Sequence, residues 1–341
     1  MHMPRAHLFL YSNASEMTTL NLKASLQLLA MAAVLVAMLA SCDDDDKLPK
    51  PVNNTAADQE NTNKNPSTQP DWTRLEFPHV STDDANSTVL IRRVPTYGIN
   101  YAIEYDLAKR TQRWTCWQWY DGNSGTSWNR KYWDNEKNNP WAMRNLQDYG
   151  WGDPFQPDPD LSAETRTELE EYYDCGYQRG HICASADRLN SKEANEQTFY
   201  LSNIMPQSRA LNTGVWEDME SKVRSWNTRG FRETLYVVKG GTIDKADQIR
   251  GYTSSGMLIP GYFFMAVLRQ YQANGQSRYK AMGFWIKHQD SYKSQRLSDY
   301  VVSVADLEQK TGIDFFCNLP DQTEREVENV TKAQLLSDWG L

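Results

Sequence analysis

The strongest constraint on the fold is an alternation. Between residues 99 and 105, Ile99, Tyr101, Ile103 and Tyr105 take every second position, with smaller or polar residues between them. A period of two puts these side chains on one face of an extended chain, which predicts a half-buried strand and not a helix. Residues 114–120 continue the pattern and 88–94 precede it; 235–238, 262–268 and 282–286 read as later strands. One helix is marked at both ends: Ser303 with Asp306 behind it opens 304–311, and Gly312 closes it. No internal repeat is evident. Runs of strands with few helices predict one α+β domain, a central antiparallel β-sheet flanked by helices. Twelve Trp and eighteen Tyr exclude disorder over most of the 341 residues.

The N-terminal region reads differently. Residues 17–42 have the layout of a secretion signal: Lys23 supplies a positive charge, and 28–40 is an uncharged, mostly apolar run. A bilayer needs about 20 such residues, so the run is too short to span one. It ends in Leu39-Ala40-Ser41-Cys42, which resembles a bacterial lipobox, the signal in which the cysteine becomes lipidated. The expectation is an exported protein anchored to the outer membrane by lipid at Cys42. Asp43, Asp44, Asp45 and Asp46 follow, and resemble the surface-export signal of some Gram-negative lipoproteins, so display on the cell surface is expected. Residues 43–70, rich in Asn, Thr, Asp, Pro and Gln, read as a flexible linker. The folded domain is expected over 71–341, after a signal segment at 1–42. The net charge of −8 argues against a nucleic-acid partner, but the four aspartates supply half of it outside any core. Once Cys42 is set aside, Cys116, Cys175, Cys183 and Cys317 remain. In an oxidising compartment an even count predicts two disulfides, with three pairings open. A zinc site is not expected, because there is no second close cysteine pair and few histidines.

Chemistry concentrates between residues 178 and 226. Trp216, Met219, Val223 and Trp226 are spaced three, four and three, which makes one apolar stripe of a helix. Asn212 falls within that stripe and Glu220 at its edge, while Glu217 and Asp218 point toward solvent. From spacing alone, Asn212 reads as a helix N-cap and Glu220 as a satisfied core acid. The preceding Gln178-Arg179-Gly180-His181 changes the balance, since it sets a candidate general base beside a cation suited to phosphate.

This segment resembles the DNA/RNA non-specific endonucleases of the ββα-metal, or His-Me finger, class. Their signature is Asp-Arg-Gly-His, then Asn-x-x-Pro-Gln, then an Asn opening a helix with Trp and Glu. The counterparts are Gln178-Arg179-Gly180-His181, Asn203-Ile204-Met205-Pro206-Gln207, and Asn212 with Trp216 and Glu220. The resemblance implies a ββα-metal core and these roles. His181 is the general base and Asn212 the protein ligand of Mg²⁺, with Mn²⁺ as a substitute. Glu220 holds a metal-bound water, Arg179 neutralises phosphate and Asn203 supports the site. Arg130 is the counterpart of an upstream arginine near the scissile phosphate. Gln178 departs from the family's Asp. The implied substrates are DNA and RNA, cut with little sequence preference to leave 5′-phosphates, because phosphate contacts carry no base information. The alternative is a surface lipoprotein that binds on the nuclease fold with little or no turnover. No protein partner is evident.

Overall fold

The structure, a computed structural model, describes residues 60–341. The signal segment, Cys42 and the aspartate run lie outside the described residues.

In chain order the elements are β1 (Ser87–Val94), β2 (Gly98–Asp106), β3 (Thr111–Trp119), α1 (Pro140–Tyr149), β4 (Gln178–His181), α2 (Lys192–Gln197), β5 (Ile204–Gln207), α3 (Trp216–Trp226) and β6 (Thr234–Gly241). They continue with β7 (Ile249–Tyr252), β8 (Leu258–Pro260), β9 (Tyr262–Ala273), β10 (Gln276–Lys287), β11 (Val301–Val302), α4 (Val304–Thr311), α5 (Asp321–Glu328) and α6 (Lys332–Trp339). Seven strands form one sheet in the order β1-β2-β3-β6-β9-β10-β11, and every pairing is antiparallel. This is the expected α+β class, and each expected strand overlaps an observed one, although β3 stops at Trp119, one residue short of the expected 114–120. Helix α4 has its expected caps: the Ser303 side chain accepts from the Asp306 N–H, and Gly312 closes it at φ 79°.

The expectation of a half-buried β2 is corrected. Both faces of the strand are covered, because each side of the sheet carries its own layer. On one face Tyr101, Ile103, Trp117, Val237 and Met265 pack against Trp216, Met219 and Val223 of α3. On the other, Ala102, Trp114, Val238 and Phe264 meet Val304 and Leu307 of α4, with Phe77 and Phe315. The alternation of large residues selected a face correctly; burial of the second face came from elements distant in sequence.

Two further expectations are corrected. Residues 60–70, assigned to the linker, are fastened to the domain. Asn61 donates its side-chain N–H groups to the carbonyls of Cys317 and Leu319, and Asn65 donates to Trp72 and Pro78. The four described cysteines are free thiols. Cys116 and Cys183 pack in the clusters on opposite faces of the sheet, Cys175 lies against a third cluster around Trp133, and Cys317 sits beside Asn65 and the Phe77 carbonyl.

Candidate active site

The motif residues meet where β4, β5 and the approach to α3 come together. Strands β4 and β5 form a two-stranded antiparallel ribbon with Gln178 opposite Gln207 and His181 opposite Ile204. Gly180 is required there, since a Cβ would overlap the Gln207 side-chain amide. Asn203, fully buried just before β5, accepts from the Cys183 N–H at 2.9 Å and donates to the carbonyls of Cys183 and Thr198. It braces the chain leaving His181 and has its polar atoms engaged in doing so.

Helix α3 is seated on this ribbon. Its stripe of Trp216, Met219, Val223 and Trp226 is buried as the spacing predicts. The Trp216 indole N–H donates to the His181 carbonyl at 3.3 Å. Asn212 is not the N-cap of the helix. It lies in a wide, irregular turn, Leu211–Val215, ahead of α3, and its side-chain N–H donates to Gln178 Oε1 at 3.0 Å. The turn has its own anchor. The Asn212 backbone N–H donates to the Ser208 carbonyl, and the Ser208 N–H donates to His288 Nε2 at 2.8 Å. His288 Nδ1 faces the Pro260 carbonyl at 2.7 Å, which places the ring proton on Nδ1 and leaves Nε2 as the acceptor. Sequence reasoning missed His288; a histidine lodged after a strand of apolar residues was the only signal.

His181 is half-buried between two rings, Phe155 at 5.2 Å and Phe199 at 5.0 Å between centroids. Its Nε2 is out of solvent reach and has no hydrogen-bond partner. Burial first, and then the positive charges of Arg130, Arg179 and Lys239, hold its pKa well below the ordinary histidine value. The imidazole is therefore neutral at pH 7, the form a general base needs.

The cations around it are built in different ways. Arg179 has its guanidinium carbon 4.0 Å from the Phe155 ring centre and 4.1 Å from that of Tyr149. Both rings lie within cation–π reach of the guanidinium, and Nη1 is buried without a partner. Arg130 lies 5.3 Å from the Phe199 ring that also touches His181, and is held by Asp153. Lys239, which the sequence reading did not single out, is fully buried on β6. It donates to Glu220 and sits 4.8 Å from the Trp216 ring. Glu220 is thus committed to an ion pair, with its second oxygen 3.8 Å from Arg224. Burial raises the Glu220 pKa, and Lys239 opposes that rise.

A metal here has few protein donors. Among the described residues no group of three or more His, Cys, Asp or Glu could hold an ion. Asn212 offers one neutral oxygen, Oδ1, because Nδ2 is engaged with Gln178. A single hard oxygen fits a cation that keeps most of its water, as Mg²⁺ does, and does not fit zinc. The unpartnered His181 Nε2 and the buried, unpartnered Gln207 amide fit the same arrangement, since such atoms are satisfied by water or a hydrated ion.

Comparison with known proteins agrees with this geometry. Residues 84–322 match the family model for DNA/RNA non-specific endonuclease. The chain is 27% identical over 246 residues to the mitochondrial nuclease EXOG of Danio rerio, covering 70% of this chain and 65% of that protein. It is 29% identical over 230 residues to EXOG of Xenopus laevis, covering 65% and 58% respectively. A nuclease from a Nostoc species is 28% identical over 234 residues, covering 67% of this chain and 75% of its own length. The chain thus spans less than two-thirds of the EXOG proteins it matches. The fold is similar to that in the crystal structure of the EndoG/EndoGI complex, with a TM-score of 0.54 at 18% identity over 68% of this chain and 88% of the other. With the family model covering more than half of its length, the chain belongs to the DNA/RNA non-specific endonuclease family.

Proposed function

We propose that the protein is a Mg²⁺-dependent endonuclease that hydrolyses phosphodiester bonds of DNA and RNA with little sequence preference. The observation that carries this reading is a neutral, unpartnered His181 Nε2 set among three cations. A phosphodiester is an anion, and a base that acts on a water beside it must be neutral while its neighbours are positive.

Arg179 and Arg130 receive the non-bridging oxygens of the diester. His181 Nε2 takes one proton from the attacking water as its oxygen bonds to phosphorus. The P–O3′ bond then breaks, leaving a 5′-phosphate, and the departing 3′ oxygen takes a proton from solvent. Asn212 Oδ1 would hold the cation, which when bound supplies positive charge for the pentavalent phosphorus and the leaving oxygen. Mn²⁺ would serve as a substitute. Glu220 acts by fixing Lys239; its second oxygen, which Arg224 approaches at 3.8 Å, would be the one to hold a water of the bound cation. Sequence tolerance follows because every named contact is to phosphate or metal. Export and attachment to the outer membrane through lipid at Cys42, with display at the cell surface, complete the reading and rest on the sequence of 17–46.

The test is to incubate the protein with plasmid and with RNA, in Mg²⁺ or in chelator. Both polymers should be degraded in Mg²⁺ and survive in chelator. Binding without cleavage under all metal conditions would favour the non-catalytic alternative.

A further inference from the structure

The segment Tyr149 to Asp153, which ends α1 and enters the following loop, is tied to both site arginines. Tyr149 stacks on Arg179, with the guanidinium carbon 4.1 Å from its ring centre. Asp153, 2% exposed, holds Arg130 in a two-pronged pair. Trp151 lies midway between them, two residues from each, so its Cα is within about 7 Å of both along the chain. Yet its indole is 50% exposed.

The backbone around Trp151 is rigidly set. Gly150 ends α1 in the left-handed region at φ 80°, and its N–H donates to the Leu146 carbonyl. Gly152 packs so close to the Trp133 carbonyl that a Cβ would overlap it, and its N–H donates to Asp134 Oδ1 at 2.9 Å. A large apolar ring is therefore presented to solvent from a fixed stretch of chain whose two flanking residues, Tyr149 and Asp153, anchor the two cations. Most tryptophans of this chain are not spent that way: seven of the twelve, Trp114, Trp117, Trp119, Trp133, Trp216, Trp226 and Trp339, are buried.

We propose that Trp151 is a stacking platform for a nucleobase next to the phosphate held by Arg130 and Arg179. The charge complementarity of those two arginines selects a polyanion, and the exposed ring between their anchors selects one that carries flat aromatic groups at nucleotide spacing. Bases in a duplex are already stacked on each other, so the contact favours unpaired strands. This inference rests on the nuclease reading for the identity of the polyanion.

The experiment measures binding by fluorescence anisotropy in chelator, which removes turnover from the readout. The probes are an oligothymidylate and an abasic oligomer of the same length and charge. Wild type should bind the oligothymidylate more tightly by roughly 5- to 150-fold, the range for one stacked base. Trp151→Ala should lose that preference while binding the abasic oligomer as wild type does, and Trp151→Phe should keep most of it. Equal binding of both probes by wild type, or a preference that survives Trp151→Ala, overturns the proposal. Plasmid cleavage in Mg²⁺ is run alongside. A wild type that prefers the oligothymidylate but never cuts would sink the nuclease reading and uphold the platform.

Discussion

Asn212 donates its side-chain N–H to Gln178 Oε1 at 3.0 Å, and that bond decides which end of the Asn212 amide is left to ligate a cation. With Nδ2 engaged, Oδ1 is the free end. Asn212→Ala should remove most turnover, and added Mg²⁺ should restore little of it. Because the side chain does not cap α3, its loss should leave the melting temperature nearly unchanged. Gln178→Ala frees the amide to rotate and should cost about 10- to 100-fold in metal affinity or activity, as for other partners that orient a ligand. Gln178→Glu keeps an acceptor at that position and should be milder. Metal titrations of cleavage rate distinguish these cases; an Asn212→Ala protein that melts early but cuts normally would mean the residue is structural.

The Lys239–Glu220 pair makes a different prediction. Lys239 is fully buried, so removing its partner strands a charge in the core. Glu220→Gln should lower stability by about 3–5 kcal/mol, the usual cost of breaking a buried pair from one side. Urea unfolding measures this directly. Glu217→Gln and Asp218→Asn, on the exposed side of α3, serve as controls and should change stability little.

The pH dependence follows from the two depressed histidines. The His181 pKa lies well below the ordinary value of 6.5, with burial as its first cause. The base stays neutral as pH falls through 6.5, so the acid limb of kcat/KM should appear below the usual histidine range. His288, which anchors the Ser208 turn, is lowered to about 4, again chiefly by burial. In the native protein both histidines bind fewer protons than in the unfolded chain once pH drops below 6.5. The His288 contribution to stability is therefore complete above 6.5 and is lost as pH falls toward about 4, and that of His181 is lost in the same direction. Melting temperatures from pH 7.5 to 4 should decline over that interval; an acid limb centred at 6.5 would mean His181 is solvated as an ordinary histidine.

Cys42→Ser tests the anchor. The substitution should release the protein from the membrane fraction or block its processing, because the proposed lipid has no other attachment point in the reading of 17–46. Unchanged membrane attachment would mean that the apolar run at 28–40 is itself retained.

The sequence and the structure part company at identifiable places. Strand periodicity located the sheet, since alternate side chains must face one way, but it could not show that α4 and the 77–80 segment would cover the second face. His181, Arg179, Asn203 and Asn212 stood in one short segment, where β4, β5 and the turn before α3 are neighbours in the chain as well as in space. Lys239, Asp153, Phe155 and Phe199 arrive from separate segments, with no local spacing to connect them. Lys239 had one clue, a lone charge ending the apolar run 235–238. The asparagines of 60–70 had the composition of a tether, yet Asn61 and Asn65 use their amides to bind backbone carbonyls, which composition does not reveal.

The central claim is that His181 is the base. It is tested most directly by the single-turnover cleavage rate of His181→Ala on plasmid in saturating Mg²⁺, alongside its melting curve and its affinity for oligonucleotide. The account predicts a rate lower by roughly 10²- to 10⁴-fold, with melting temperature and binding close to wild type. A His181→Ala protein that cuts at the wild-type rate would contradict it.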